Sequence, residues 1–115
     1  MTKKVMIIDD EQSFCNLFEE MILDIGDFSV KAFHSGDEAL QEVKNYQPDI
    51  VFVDMLMPGS DGGTVIQTIN DLMEPKPLIV MVTGMVSEDE ITHSNFPILA
   101  KPLNKDSLRK VLRKL

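Results

Sequence analysis

Five short apolar runs, which alternate with segments predicted to be helical, limit the folds open to this chain. The runs lie at Val5–Ile8, Phe28–Ala32, Ile50–Val53, Leu78–Val82 and Pro97–Ala100. The first, third and fourth are unbroken, as in strands buried on both faces, whereas the second alternates apolar and polar residues, as at a sheet edge. This alternation of strands and helices predicts one parallel sheet with right-handed crossovers and helices on both faces.

Three of the predicted helices begin at capping residues. Ser35, with Glu38 three residues later, matches a capping box, and Asn104 is the predicted cap of the last helix. Ser87-x-x-Glu90 is a further capping-box match, which predicts a short fourth helix. The apolar residues expected to face the core are Phe14, Leu17, Phe18, Met21 and Ile25, then Ala39, Leu40 and Val43, then Val65, Ile66, Ile69, Leu72 and Met73, and finally Leu108, Val111, Leu112 and Leu115.

Length and composition predict a single soluble domain over residues 1–115, since 115 residues can bury one core but not two. A net charge of −8 argues against binding to nucleic acid or anionic membranes. The chain has neither a signal-peptide pattern nor an apolar run near the ~20 residues of a membrane span, so we expect a cytoplasmic protein. Cys15 is the only cysteine and is interpreted as structural.

Polar residues follow four of the predicted strands. Asp9 and Asp10 follow the first strand, Asp54 the third, Thr83 ends the fourth and Lys101 follows the fifth. A carboxylate at the end of a buried strand is costly without a partner. Taken alone, Asp54 fits equally well a loop cap whose oxygens accept backbone N–H groups. The other strand ends favour a shared site, because parallel strands of one sheet end at the same edge.

A strand order of 2-1-3-4-5 would make the first and third strands neighbours and bring three carboxylates together. Two like charges at ~4 Å repel by about 4 kcal/mol at an effective dielectric constant near 20. A hard divalent cation with oxygen ligands, such as Mg²⁺, would relieve that repulsion. Lys101 and Thr83 would then offer a positive charge and a hydroxyl group suited to a phosphoryl group.

Five short motifs occur in an order that resembles one protein family. They are Ile7-Ile8-Asp9-Asp10-Glu11, Ser35-Gly36-x-Glu38-Ala39-Leu40, Pro48-Asp49-Ile50-Val51-x-x-Asp54-x-x-Met57-Pro58-x-x-Asp61-Gly62, Thr83-Gly84 and Lys101-Pro102. From about Lys4 to Leu115 the chain resembles a receiver domain of two-component response regulators. The resemblance implies a doubly wound α/β fold, with a five-stranded parallel sheet in the flavodoxin-like order 2-1-3-4-5.

The resemblance also implies a role for each of the polar residues. Asp54 matches the phosphoacceptor, and Thr83 and Lys101 match the two residues that contact the phosphoryl oxygens. The groups that match Mg²⁺ ligands are the carboxylates of Asp9, Asp10 and Asp54 and the backbone carbonyl of Leu56. The implied reaction is attack by the Asp54 carboxylate on a phosphorus atom.

The phosphodonor implied by the resemblance is a phosphohistidine of a sensor histidine kinase or a histidine phosphotransfer protein. The domain would not be an enzyme beyond its own phosphorylation and slow autodephosphorylation. The face formed by the fourth helix, fifth strand and fifth helix would switch a downstream protein effector. We expect a monomer or weak dimer, either acting alone or as part of a longer protein.

Two departures from the family pattern lie near the fifth strand. Family members commonly carry Phe or Tyr three residues before the lysine, whereas this chain has Ile98, with Phe96 nearby but pointing the other way or outside the strand. The segment from Thr83 to Lys101 is also about one turn shorter than is usual for the family. A stunted or irregular fourth helix is therefore expected.

Two alternatives compete with the receiver interpretation. A phosphatase or phosphotransferase of the haloacid-dehalogenase type also forms an aspartyl phosphate, but it carries Asp-x-Asp, and Leu56 occupies the position of the second Asp. A flavodoxin-like nucleotide binder would need a Gly-rich or hydroxyl-rich phosphate loop after the first strand, which the sequence lacks. His34 and His93 are interpreted as loop or surface residues rather than ligands.

Overall fold

The structure is a computed structural model that describes residues 2–57, 61–84 and 95–115. Strands and helices alternate along most of the described chain. In order, the elements are β1 (Lys3–Ile8), α1 (Gln12–Ile25), β2 (Phe28–Phe33), α2 (Gly36–Tyr46), β3 (Ile50–Asp54), α3 (Gly62–Leu72), β4 (Leu78–Thr83), β5 (Ile98–Ala100) and α4 (Lys105–Leu112). The short helix predicted from Ser87 lies outside the described residues.

All five strands form one parallel sheet in the order β2-β1-β3-β4-β5, so the predicted flavodoxin-like topology is confirmed. The register aligns the carboxyl ends of the strands. Ile8 pairs with Val53, and Thr83 pairs with Ala100. The residues that follow these pairs therefore emerge at the same edge of the sheet.

The two faces of the sheet bury separate apolar clusters, because successive side chains of a strand point to opposite faces. Val5 and Ile7 of β1 lie in the cluster that contains residues of α1 and α4. Met6 and Ile8 lie in the cluster that contains residues of α2 and α3. Every residue of β3 is buried, which explains why its sequence is an unbroken apolar run up to Asp54.

The edge position of β2 and two of the predicted caps are confirmed. Ser35 Oγ accepts a hydrogen bond from the backbone N–H of Glu38 at 3.2 Å. Asn104 Oδ1 accepts from the backbone N–H groups of Asp106 and Ser107, at 2.8 and 3.2 Å.

Within the described ranges, no helix has the length and apolar character needed to cross a membrane.

Two leucines predicted to face the core are exposed instead. Leu17 is 52% exposed and Leu72 is 41% exposed. The core stripe of α1 runs through Cys15, Phe18 and Ile22, and Leu17 is rotated away from it by one helical position. Leu72 is the last residue of α3, and the following Met73 fills the core position.

Candidate functional site

Polar residues from the ends of four strands lie at the carboxyl edge of the sheet. Asp9 follows β1 directly, Asp54 ends β3, Thr83 ends β4, and Lys101 follows β5. Asp9, Asp54 and Thr83 are buried, whereas Asp10 is exposed to solvent. A backbone hydrogen bond of 3.0 Å from Lys101 N–H to the Thr83 carbonyl joins the last two strand ends. The structure thus brings together the polar residues that the sequence placed at strand ends.

Three carboxylates form the centre of this site. One oxygen each of Asp9, Asp10 and Asp54 lies within 4.8 Å of the others. Burial raises the pKa of Asp54 above its usual value, and the neighbouring charges of Asp9 and Asp10 add to that increase. A hydrogen bond from the Leu56 N–H to Asp54 Oδ1, 3.1 Å long, and the Lys101 charge oppose it. The site therefore concentrates negative charge in a partly desolvated position.

Lys101 is the positive partner of the buried carboxylates. Its Nζ lies 3.1 Å from Asp9 Oδ2 and 3.7 Å from Asp54 Oδ2. Burial lowers the pKa of Lys101, but the hydrogen bond to Asp9 and the charges of Asp9 and Asp54 outweigh it, so the pKa is raised overall. One ammonium cannot balance three ionised carboxylates, so the site keeps a net negative charge.

The donor set fits a hard divalent cation. All three side chains offer oxygen atoms, and their separation is short enough for one ion to contact all of them. Asp9 Oδ1 already accepts the Glu11 N–H at 2.9 Å, which fixes that carboxylate. Leu56 lies in the turn after Asp54, and its backbone N–H is hydrogen-bonded to Asp54 Oδ1. Mg²⁺, which takes few protein ligands and keeps several waters, matches this arrangement.

The backbone carbonyl of Asp9 receives two side-chain contacts that sequence reasoning missed. His34 Nδ1 lies 3.1 Å from this oxygen, and Cys15 Sγ donates to it at 3.4 Å. Cys15 is buried, and this burial is the main reason that its thiol pKa rises to about 11. The thiol is therefore protonated at neutral pH, consistent with its structural interpretation.

A second missed contact joins helix α1 to the site. The ring of Phe14 lies beneath the Lys101 ammonium, with Nζ 4.2 Å from the ring centroid. In the sequence, Phe14 is one of several apolar residues at helical spacing, so no local signal separates it from core residues. The contact depends on α1 and the end of β5 meeting in space.

Gly62 allows helix α3 to begin close against the end of β3. A Cβ atom on Gly62 would lie 2.9 Å from Met55 Sδ, 3.1 Å from Met55 Cα and 3.2 Å from the Asp54 carbonyl oxygen. The last two atoms belong to the backbone, which cannot yield without moving the strand end. Gly62 therefore sets how closely the start of α3 can approach the end of β3.

We expect Gly62→Ala to lower the free energy of unfolding by roughly 1 to 3 kcal/mol, as overpacked substitutions do. Gly63→Ala is the matched control in the same helical turn, because its Cβ would meet only Asp61 Oδ1, at 3.3 Å. Urea denaturation of both variants measures the difference. Equal stability of the two variants would contradict the steric explanation.

Some sequence-based predictions fall on residues outside the described ranges. These residues are Pro58 of the third motif, Ser87 and Glu90 of the predicted fourth helix, and His93.

Known proteins match this sequence over most of its length. The sequence profile described as the response regulator receiver domain matches residues 5–113. Transcription factor SKN7 of Saccharomyces cerevisiae is 28% identical over 111 residues, which cover 94% of this chain and 18% of that protein. Regulatory protein VanR of Enterococcus faecium is 33% identical over 93 residues, which cover 80% of this chain and 39% of that protein. The chain thus spans well under half the length of these relatives.

The fold has close counterparts among solved structures. A CheY-like response regulator receiver domain from Methylobacillus flagellatus superimposes with a TM-score of 0.87 at 25% sequence identity. The match covers 99% of this chain and 98% of that one. The similarity therefore extends over the whole sheet and its helices.

Proposed function

We propose that the Asp54 carboxylate of this chain, which belongs to the response regulator receiver domain family, accepts the phosphoryl group in two-component signalling. The observation that carries this proposal is the placement of Asp54. Its buried carboxylate ends β3, close to two other carboxylates and 3.7 Å from the Lys101 ammonium. The proposed nucleophile, metal ligands and phosphoryl-binding cation would thus share one sheet edge.

The proposed transfer forms a bond between an Asp54 oxygen and phosphorus while the bond from phosphorus to the donor nitrogen breaks. The bonding electrons leave with the donor imidazole, which takes a proton from solvent. Asp54 needs no general base, because its carboxylate is the reactive form. The Leu56 N–H occupies Oδ1, which favours Oδ2, on the Lys101 side, as the attacking atom.

The residues around Asp54 have separate proposed roles. The carboxylates of Asp9, Asp10 and Asp54, with the Leu56 carbonyl, would hold Mg²⁺, which when bound neutralises charge on the phosphoryl oxygens. Lys101 would contact a phosphoryl oxygen as a point charge, and Thr83 would donate its hydroxyl to another. Receiver domains generally bind Mg²⁺ at an acidic pocket, which agrees with this assignment.

Receiver domains interact with histidine kinases and with effector domains. We infer that this chain takes its phosphoryl group from a sensor histidine kinase or a histidine phosphotransfer protein in the cytoplasm. It would act on a downstream protein effector, as a monomer or weak dimer, without catalysing a reaction on other substrates. The haloacid-dehalogenase alternative is not favoured, because Leu56 stands where a second acid is needed and the matched sequence profile is that of a receiver domain.

Phosphorylation with a small phosphodonor in the presence of Mg²⁺ tests the assignment. We expect mass spectrometry to locate one acid-labile phosphoryl group, on Asp54. Asp54→Asn should keep the shape of the side chain and lose all labelling. Acid-stable phosphate, or a label that persists in Asp54→Asn, would show that another residue is the acceptor.

A further inference from the structure

The shortest cation–π contact among the described residues lies at the candidate site. Lys101 Nζ is 4.2 Å from the centroid of the Phe14 ring, whereas the three other contacts of this kind span 5.6 to 5.8 Å. Such contacts are significant within about 6 Å and strengthen when the pair is removed from water. The Lys101 side chain is 24% exposed, so the ring faces a partly desolvated ammonium.

The Phe14 ring is itself fixed from the core. It packs edge-on against Phe18, with centroids 5.6 Å apart, and Phe18 packs against Phe52 of β3 at 4.7 Å. Phe18 and Phe52 are fully buried. The position of the ring is therefore set by the hydrophobic core rather than by the surface of α1.

The ring and the carboxylates constrain the ammonium in different ways. Asp9 and Asp54 attract Lys101 Nζ strongly, but both carboxylates also take part in the proposed metal site and the proposed reaction. An aromatic face attracts a cation without accepting a metal or a phosphoryl group. It can therefore hold the ammonium while the partners on the other side change.

We propose that Phe14 is a positioning residue for Lys101, holding the ammonium ready for the incoming phosphoryl oxygen. This inference rests on the proposed function, because it assigns Lys101 its task there. The lysine side chain is long and flexible, and ordering it costs conformational freedom. A ring already in place reduces the freedom lost during phosphoryl transfer, so the effect should be on the rate of phosphorylation.

The variants Phe14→Leu and Phe14→Tyr distinguish an effect of the aromatic ring from an effect of apolar side-chain volume. We expect Phe14→Leu to slow phosphorylation by acetyl phosphate in Mg²⁺ by roughly 2- to 30-fold, the range that one cation–π contact represents. Phe14→Tyr, which retains the ring, should stay close to wild type. Leu17→Ala, an exposed α1 position, is the control for general effects on this helix.

Two further readouts distinguish positioning from a structural role. The Lys101 ε-methylene protons should show a ring-current shift by NMR in wild type and Phe14→Tyr, but not in Phe14→Leu. In a Lys101→Met background, Phe14→Leu should no longer change the phosphorylation rate, because its effect passes through the ammonium. Urea unfolding checks that each variant is folded under the assay conditions.

A wild-type rate in Phe14→Leu would overturn the inference. So would an equal loss of rate from Phe14→Leu whether Lys101 is intact or replaced by methionine, or the absence of a ring-current shift in the wild type. Failure of the proposed function looks different. In that case wild-type Asp54 would stay unlabelled, whereas the NMR shift would still report whether Phe14 holds Lys101.

Discussion

Mg²⁺ is expected to raise the free energy of unfolding of this domain by about 2.7 kcal/mol at a hundredfold excess over its dissociation constant. Only the folded chain brings the oxygens of Asp9, Asp10 and Asp54 within 4.8 Å of one another. Unfolding separates them, so the unfolded chain has little affinity for the ion. Binding therefore shifts the equilibrium toward the folded state.

Without a bound metal ion, the charge of the acidic cluster lowers the free energy of unfolding, which supports this expectation. The pKa of Asp54 is raised in the folded state, first by burial. A carboxyl group with a raised pKa stabilises the fold below its unfolded pKa, and that contribution is lost as the pH rises through the folded pKa. At neutral pH the ionised Asp54 thus opposes folding, and a bound cation offsets this effect.

Thermal melts with and without Mg²⁺ provide the measurement, and Asp10→Ala is the matched control. Asp10 is exposed, and Lys101 forms its ion pairs with Asp9 and Asp54, so this substitution leaves the buried pairs in place. We expect Asp10→Ala to lose most of the Mg²⁺-dependent gain. An unchanged gain in the variant, or no gain in wild type, would rule out metal binding at the carboxylates.

The unbroken apolar runs were sufficient to predict the central strands, because a strand that is buried on both faces needs apolar residues at successive positions. Val5–Ile8 and Ile50–Val53 are fully buried, as predicted. The strand order was not predictable in the same way, since the choice of partner strands depends on contacts between distant segments. It was obtained from the family resemblance and is confirmed by the structure.

The polar site was partly predictable for a related reason. Residues at the carboxyl ends of parallel strands must share one edge, so Asp9, Asp54 and Lys101 could be grouped from strand positions alone. Side chains that reach the site from helix α1 or from the loop after β2 follow no such rule. The contacts of Phe14 and His34 depend on how these elements pack, and neither residue is distinctive in the sequence.

The second large effect that we expect concerns how long the proposed aspartyl phosphate survives. Leu56 lies two residues after Asp54, and its backbone N–H is hydrogen-bonded to Asp54 Oδ1 at 3.1 Å. The residue is 62% exposed, so an apolar side chain lies at the solvent boundary of the turn after Asp54. Leucine can neither hydrogen-bond an attacking water nor accept its proton. We therefore predict a comparatively long-lived aspartyl phosphate.

Leu56→Asn should accelerate phosphoryl loss in Mg²⁺ by at least about tenfold, because positioning a water molecule is worth factors of ten to thousands. Met85, which lies outside the described residues, is also apolar and comes two residues after Thr83 in the sequence, so we expect Met85→Glu to accelerate phosphoryl loss as well. Leu72→Asn makes the same change at an exposed leucine that ends α3, and should leave the rate unchanged. Following the decay of labelled protein after removal of the phosphodonor gives each rate. If water already reaches the phosphorus freely past Leu56, then Leu56→Asn will lose phosphate no faster than wild type, and the shielding explanation must be abandoned.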